Sequence, residues 1–280
     1  MSSTLFLVPT PIGNLADMTD RSRSVLSSVD IIACEDTRNT QKLLSLVGIK
    51  TQAQLVAYHE YNADKMRPIL LEKLKNGCDI AQVSDAGTPL VSDPGYRLAR
   101  DAMDSGLNVV PLPGANALLP ALQLSGLPSD RFLFNGFLST KKSARMSELQ
   151  ELKDIPATLI FYESPHRVMD TLSDMLKVFG NRKAAVVREL TKKFEQAVRD
   201  TLQNLIEFYT QNGEPKGEIV ILVDRADKQT QKKEFDICAL LKEAFTKTSS
   251  LRDAVDIVVK QTGLDRRKIY KQALELKDEK

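Results

Sequence analysis

Short apolar runs and longer amphipathic stretches take turns along the first 126 residues. The runs are Leu5–Val8, Ile31–Ala33, Leu55–Ala57, Ile80–Val83 and Val109–Leu112. Each is too short for a helix and suits a buried strand. The segments between them have helix length, which predicts β-α-β-α-β-α-β-α-β, a mostly parallel sheet covered by helices. A helix over Ala115–Leu124 is expected after the fifth strand, ending at Gly126. The turn-rich L-P-S-D-R-F at 127–132 then breaks the pattern.

A second series follows, with strands expected at Phe132–Phe137, Thr158–Tyr162, Ala184–Arg188 and Ile219–Val223. After Ser164-Pro165, the positions Val168, Leu172, Met175, Leu176 and Phe179 keep helical spacing. Another helix is expected over Arg199–Tyr209. The polar stretch Arg225–Glu234 interrupts again. Beyond it, Ser250 to Asp253 reads as a capping box, and Leu251, Ala254, Val255, Val258 and Val259 share one face. Gly263 should end that helix, and Asp265 should cap the next one through Leu276. Two short helices joined by T-G-L suggest a helix-turn-helix or a small docking bundle. The expected organisation is an α/β domain over 1-126, a second α/β domain over 127-226 and a helical tail over 235-280.

Composition narrows the class. Hydrophobic residues make up 42% and charged residues 27%, with no Trp, as in soluble globular proteins. No apolar run approaches the roughly 20 residues that span a bilayer, and Met1–Leu7 is too short and uncharged to act as a secretory signal. Cys34, Cys78 and Cys238 lie far apart and read as reduced, buried thiols of a cytoplasmic protein. The net charge is only +2, although residues 232–280 carry 12 Lys and Arg against 9 Asp and Glu. That is no basic nucleic-acid glove, but the tail leans that way.

The unusual residues cluster where the strands end. They are P-T-P-I-G-N-L at 9–15, E-D-T-R at 35–38, Y-H-E-Y-N at 58–62, D-A-G-T-P at 85–89 and P-L-P-G-A-N-A at 111–117. Ligands of open α/β sheets bind at that edge. No G-x-G-x-x-G follows the first strand, and no G-x-x-x-x-G-K-[ST], nucleophile elbow or H-E-x-x-H is present. His59 and His166 are more readily structural than basic. The loops instead offer the carboxylates Asp36, Asp85 and Asp93, close-approach glycines and free backbone donors. That set suits a polar, positively charged ligand without phosphate, such as S-adenosylmethionine.

Eight stretches occur in order: V-P-T-P-I-G-N-L, E-D-T-R, V-S-D-A-G-T-P-L-V-S-D-P-G, P-L-P-G, G-F-L, Y-E-S-P-H-R, R-E-L-T-K and G-E-I-V-I-L. Together they resemble the small-subunit ribosomal RNA (cytidine) 2′-O-methyltransferases of bacteria, the ribosomal branch of the tetrapyrrole methylase superfamily. The resemblance runs over roughly residues 4–224, and the helical tail resembles theirs too. It implies an α/β, two-domain tetrapyrrole-methylase-like fold, that of the class III methyltransferases, with a small C-terminal helical segment. It also implies S-adenosyl-L-methionine in the cleft between the domains, a homodimer, and no metal or membrane. The implied reaction is 2′-O-methylation of a cytidine in the decoding region of small-subunit ribosomal RNA, in the assembled subunit.

Residue by residue, the resemblance places Pro11, Asp85, Gly87, Thr88, Ala115 and Asn116 against the cofactor, with Tyr162, Leu190 and Glu218 closing over it from the second domain. Pro89 and Pro94 would stiffen the loop. The chain departs from the common form at Ala115, where many relatives have Pro, and at Tyr61, where they have His.

A ribose hydroxyl is a poor nucleophile near neutral pH, so a base or a pKa-lowering cation is expected. Asp36, Arg38, Glu163, Arg188, Glu189 and Lys192 are the polar candidates, and Glu163, Arg188, Glu189 and Lys192 form the catalytic set. Glu163 and Glu189 read equally well as helix caps or as ion-pair partners of Arg167 and Arg188. Lys141, Lys142, Arg145, Arg266, Arg267 and Lys268 are candidate RNA phosphate contacts, with a solvated charged face as the alternative. Two other readings remain: a tetrapyrrole C-methyltransferase of the precorrin or uroporphyrinogen type, and a non-catalytic RNA-binding ribosome-assembly factor. The second should show ruined cofactor loops, and these are intact.

Overall fold

The computed structural model describes residues 3–92, 95–226, 236–248, 250–262 and 265–278. Asp93, Pro94 and Gly263, singled out above, lie outside them, as does most of the polar stretch before 235. Two compact units result, the first running to Ala226 and the second holding the C-terminal helices.

The first unit opens with strands β1 (Thr4–Val8), β2 (Ile31–Cys34), β3 (Gln54–Ala57), β4 (Ile80–Val83) and β5 (Asn108–Pro111). Helices α1 (Asp20–Ser28), α2 (Thr37–Leu46), α3 (Ala63–Lys75) and α4 (Tyr96–Asp104) connect them. The sheet order is β3-β2-β4-β1-β5 and every pairing is parallel. β2 and β4 are buried along their whole length, the signature of a sheet covered on both faces. Parallel strands put all their carboxyl ends on one edge, so the tips of β4, β1 and β5 are neighbours there.

Helix α5 (Leu118–Ser125) starts later than the apolar spacing predicts. Residues 114–117 stay in a loop, and the Asn116 Oδ1 accepts the Leu119 N–H at 2.9 Å. The first turn is therefore capped by the chain's own amide rather than left open.

The second sheet comprises β6 (Phe132–Phe137), β7 (Thr158–Glu163), β8 (Lys183–Arg188), β9 (Gln196–Thr201) and β10 (Ile219–Val223), in the order β6-β7-β10-β8-β9. Only β6 and β7 run parallel. Its helices are α6 (Lys142–Leu152), α7 (Val168–Phe179) and α8 (Leu202–Asn212). The helix expected from Arg199 begins at Leu202. Residues Gln196–Thr201 instead form an edge strand paired antiparallel with β8. Thr201 then caps α8 by accepting the Asn204 N–H.

Alternation sorts this sheet's side chains. Leu159 and Phe161 of β7 join the core beneath α6, α7 and α8, whereas Ile160 and Tyr162 face Ile12 and α5. The period-2 rule then sends Glu163 to the α7 side. β6 departs from strict alternation. Phe134 pairs with Ile160, but Gly136 pairs with Phe161 and Phe137 with Tyr162, so Asn135 is an extra residue. Gly136 sits at φ 72°, backbone that glycine adopts without strain.

The second unit packs α9 (Ile237–Lys247), α10 (Leu251–Thr262) and α11 (Arg266–Asp278) around Leu241, Ala254, Val255, Val258 and Ile269. α9 is absent from the sequence reading, although Ile237, Leu241 and Ala244 keep helical spacing. Asp265 accepts the Arg267 N–H at 2.8 Å, as a capping residue should. The cysteines need a correction: Cys34 is buried, Cys78 is half-buried and Cys238 is exposed. Among the described residues no helix is long and apolar enough to cross a membrane.

Arg145 also needs one. It is not a surface cation but is 4% exposed, and its Nε and Nη2 both reach Asp174 Oδ2, at 3.0 and 2.8 Å. Removing one partner of such a pair strands a buried charge. Asp174→Ala should destabilise the protein by about 3–5 kcal/mol, read as a lower midpoint in urea unfolding.

Candidate active-site cleft

The tips of three neighbouring strands are tied to one another by backbone and hydroxyl groups. Thr10 after β1 and Gly87 after β4 exchange two backbone hydrogen bonds, at 2.9 and 3.0 Å. The Thr88 hydroxyl donates to the Ala115 carbonyl after β5 at 2.9 Å. Gly114 comes so near β1's tip that an added Cβ would lie 2.6 Å from the Pro9 Cβ. Gly87 has φ 85°, a conformation a β-branched residue would resist. Leu90 and Ser92 also have positive φ, at 72° and 62°. Strain of this kind marks loops whose shape the surroundings over-determine.

Opposite these loops stands the second sheet. Between them lies a cleft of about 270 Å³, whose walls include Ile12, Gly87, Thr88, Ser92, Asn116, Phe137, Tyr162, Glu218 and Val220. It is mostly apolar with a few convergent polar groups, the usual character of a small-molecule site. Tyr162 packs edge-to-face with both Phe134 (centroids 4.8 Å apart) and Phe137 (5.7 Å).

A second bridge joins the two sides at the R-E-L-T-K turn. Thr191 Oγ1 accepts the Asn14 N–H at 3.1 Å. A Cβ on Gly13 would fall 2.5 Å from the Lys192 Cγ. Glu189 and Thr191 have φ 52° and 64°. Lys192 Nζ lies 3.1 Å from Glu189 and 3.2 Å from Glu218. Burial pulls the Lys192 ammonium down, but hydrogen bonds to the two carboxylates outweigh it, and its pKa stands above the ordinary value. It is therefore a cation at neutral pH. The Glu218 backbone N–H, then Lys192, hold the Glu189 carboxyl below its usual range.

The sequence-derived residues divide sharply. Gly87, Thr88, Asn116, Tyr162 and Glu218 line the cleft. Pro11 is buried in the loop beside Ile12, Ala115 contributes its carbonyl to Thr88, and Leu190 belongs to the apolar layer beneath. Asp85 turns towards the start of α2. Its Oδ2 accepts from Asn39 Nδ2 at 2.7 Å, and its Oδ1 lies 3.4 Å from the Asp36 N–H. Asp36 in turn caps α2 and binds Arg38, whose hydrogen bond holds the Asp36 carboxyl down to about 2. Next to it, burial and then the Asp85 charge push the Glu35 carboxyl up.

Glu163 borders the cleft, but its carboxylate is taken. It accepts from Thr171 Oγ1 at 2.6 Å and the Ser164 N–H at 2.8 Å, with Arg167 Nε 3.4 Å away. Arg188 faces the α8 side, where it donates to Gln196 Oε1 and the Lys216 carbonyl. Of the four catalytic candidates, only Glu189 and Lys192 thus meet at the cleft's rim, through Glu218. Lys141 and Lys142 are exposed at the start of α6. In the second unit Arg266, Arg267 and Lys268 are exposed, with Arg266 2.9 Å from Asp256. Sequence reasoning missed Ile12, Ser92, Phe137 and Val220. A glycine inside the β6 pattern was the available clue to Phe137.

The two-sheet fold has counterparts among solved structures. A cobalt precorrin-4 methyltransferase superposes with a TM-score of 0.59 at 16% identity, over 79% of this chain and 94% of that one. A uroporphyrin-III C-methyltransferase from Thermus thermophilus, solved with S-adenyl homocysteine, gives 0.55 at 16%, over 80% and 98%. The chain belongs to the tetrapyrrole (corrin/porphyrin) methylase family, whose model matches residues 4–206. Residues 234–277 match the RsmI C-terminal HTH domain. Within the family, it groups with proteins named ribosomal RNA small subunit methyltransferase I. The protein of that name from Mesorhizobium japonicum is 47% identical over 99% of this chain and 94% of its own length. The Vibrio cholerae protein is 44% identical over 97% and 94%.

The depressed Glu189 carboxyl has a pH consequence. Its contribution to holding the turn is complete above the ordinary glutamate range and is lost as pH falls through its lower folded value. The protection factor of the Glu218 amide should drop over that acidic interval in the wild type and stay flat in Glu189→Gln. A flat wild-type profile would remove the coupling.

Proposed function

We propose that this protein transfers a methyl group from S-adenosyl-L-methionine to a ribose 2′-hydroxyl of small-subunit ribosomal RNA, a cytidine of the decoding region, acting in the cytoplasm as a homodimer on the assembled subunit. The observation that carries the reading is the cleft itself, walled by Gly87, Thr88 and Asn116 on one side and Tyr162 and Glu218 on the other, in a chain matched almost end to end by the ribosomal RNA relatives. Those full-length matches favour RNA over a tetrapyrrole as the acceptor.

The cleft's chemistry fits the donor. Its apolar wall suits an uncharged ring and ribose, Glu218 supplies negative charge for a cation, and Gly87 lets backbone approach where a side chain would intrude. When bound, the donor supplies an electrophilic methyl on a sulfonium, with a neutral thioether as leaving group.

The chain's own residues must then align the acceptor oxygen with that methyl and exclude water. The clamps at Thr10–Gly87 and Thr88–Ala115 keep one wall fixed. Lys192, protonated and held between Glu189 and Glu218, fixes the Glu218 carboxylate at the rim, and the three groups together keep a net negative charge there that favours the donor's cation. Lys141, Lys142, Arg267 and Lys268 are free to meet phosphate and position the RNA. Arg145, buried with Asp174, is not part of that surface.

Gly87→Val forces a β-branched residue into positive φ, a strain of about 1–3 kcal/mol. It should weaken S-adenosylmethionine binding by roughly 10- to 100-fold in calorimetry while circular dichroism stays native. Unchanged affinity in the folded variant would refute the cleft assignment. Mass-spectrometric mapping of 2′-O-methylcytidine in small-subunit RNA, from cells with and without the protein, tests the reaction.

A further inference from the structure

Phe137 is 56% exposed although it lines the cleft. Its direction is set by one extra residue. Strict alternation along β6 would pair position 137 with Glu163 and turn the ring towards α7. The bulge at Asn135 shifts the phase, so that Phe137 pairs with Tyr162 and lies on the same face as Phe134. The shift needs positive φ at Gly136, whose missing side chain also leaves room for Ser92: an added Cβ would lie 3.2 Å from the Ser92 Oγ. Bulges beside active sites commonly re-aim a side chain in this way.

In the single chain this aromatic ring has more than half its surface in water, and a backbone irregularity turns it to the cleft. Tyr162 packs edge-to-face with it at 66°, and Phe134 packs on Tyr162 in turn at 65°, so its outward surface is left for a ligand. Along the cleft's lining, Gly87 and Val220 are buried and Thr88 and Asn116 half-buried, whereas Phe137 is exposed. The mouth is where an acceptor must enter. A ribose whose 2′-oxygen is presented to the cleft carries its base alongside, and single-stranded RNA bases are commonly held on aromatic side chains.

We propose that Phe137 is the platform on which the base of the acceptor nucleotide stacks, which makes it a positioning residue for the ribose. The idea rests on the RNA methyltransferase reading above. Stacking places the 2′-hydroxyl in line with the methyl, and extruding the base from its RNA stack is offset by the new stack on the ring.

The test is steady-state methylation of small ribosomal subunits that lack the modification, with S-adenosylmethionine saturating. Phe137→Ala should raise KM for the subunits about ten-fold or more, the scale of a lost base–aromatic stack. Its S-adenosylmethionine affinity should shift by much less than KM does and its circular dichroism should stay native, because more than half of the ring is exposed. Phe137→Trp should bring KM most of the way back. An Ala variant with wild-type KM overturns the stacking role and leaves the enzyme reading intact. A variant that loses S-adenosylmethionine affinity instead assigns the ring to the donor and overturns the proposal as well. If wild-type protein binds S-adenosylmethionine yet methylates no small-subunit RNA, the function reading falls and the stacking role with it.

Discussion

Two backbone hydrogen bonds, exchanged between Thr10 and Gly87 at the ends of neighbouring parallel strands, hold one wall of the cleft in shape. They require the positive φ of Gly87, and they set where Thr88 can reach the carbonyl of Ala115. With β1, β4 and β5 adjacent in the sheet, this clamp turns three separate loops into one rigid surface. A preformed surface loses little conformational freedom when a ligand arrives. The prolines and glycines crowded into these loops are explained by that requirement more economically than by turn formation alone.

The opposite wall is organised by alternation rather than by clamps. On β7, successive residues serve different masters: Tyr162 faces the cleft, and Glu163 anchors the start of α7 through Ser164 and Thr171. The same logic separates Arg188 from the cleft. Adjacent polar residues in one motif therefore hold different jobs, structural and functional, although a sequence shows them as a single conspicuous block. The lobes meet where side chains are missing, at Gly13 against Lys192 and at Gly136 against Ser92.

Much of this was legible in advance, for physical reasons. The five strands of the first sheet stand out because strands such as β2 and β4 are buried on both faces and read as unbroken apolar runs. β9 was hidden because it is an edge strand, with Gln196, Arg199 and Asp200 open to water. Its polar composition matched the amphipathic start of a helix. Arg145 looked like one of three surface cations at a helix start, and nothing local announces Asp174, 29 residues away. Phe137 falls on the expected strand, but its face depends on an insertion of one residue that shifts the phase of the pattern. Cleft-lining positions are readable at glycines and strand tips, whereas the partners of the polar candidates are not, since they depend on which face each residue of a motif takes.

The strand order of the second sheet also has a temporal meaning. β10 lies between β7 and β8 yet follows both in the chain, and its entry residues Glu218, Ile219 and Val220 form part of the cleft. While the polypeptide emerges from the ribosome, the amino-terminal half can assemble its parallel sheet, but the facing half must keep a gap for a strand not yet made. The cleft therefore gains its last walls only when nearly four-fifths of this sequence has been synthesised, and a chain stopped before Glu218 would carry the clamped wall but an incomplete facing one.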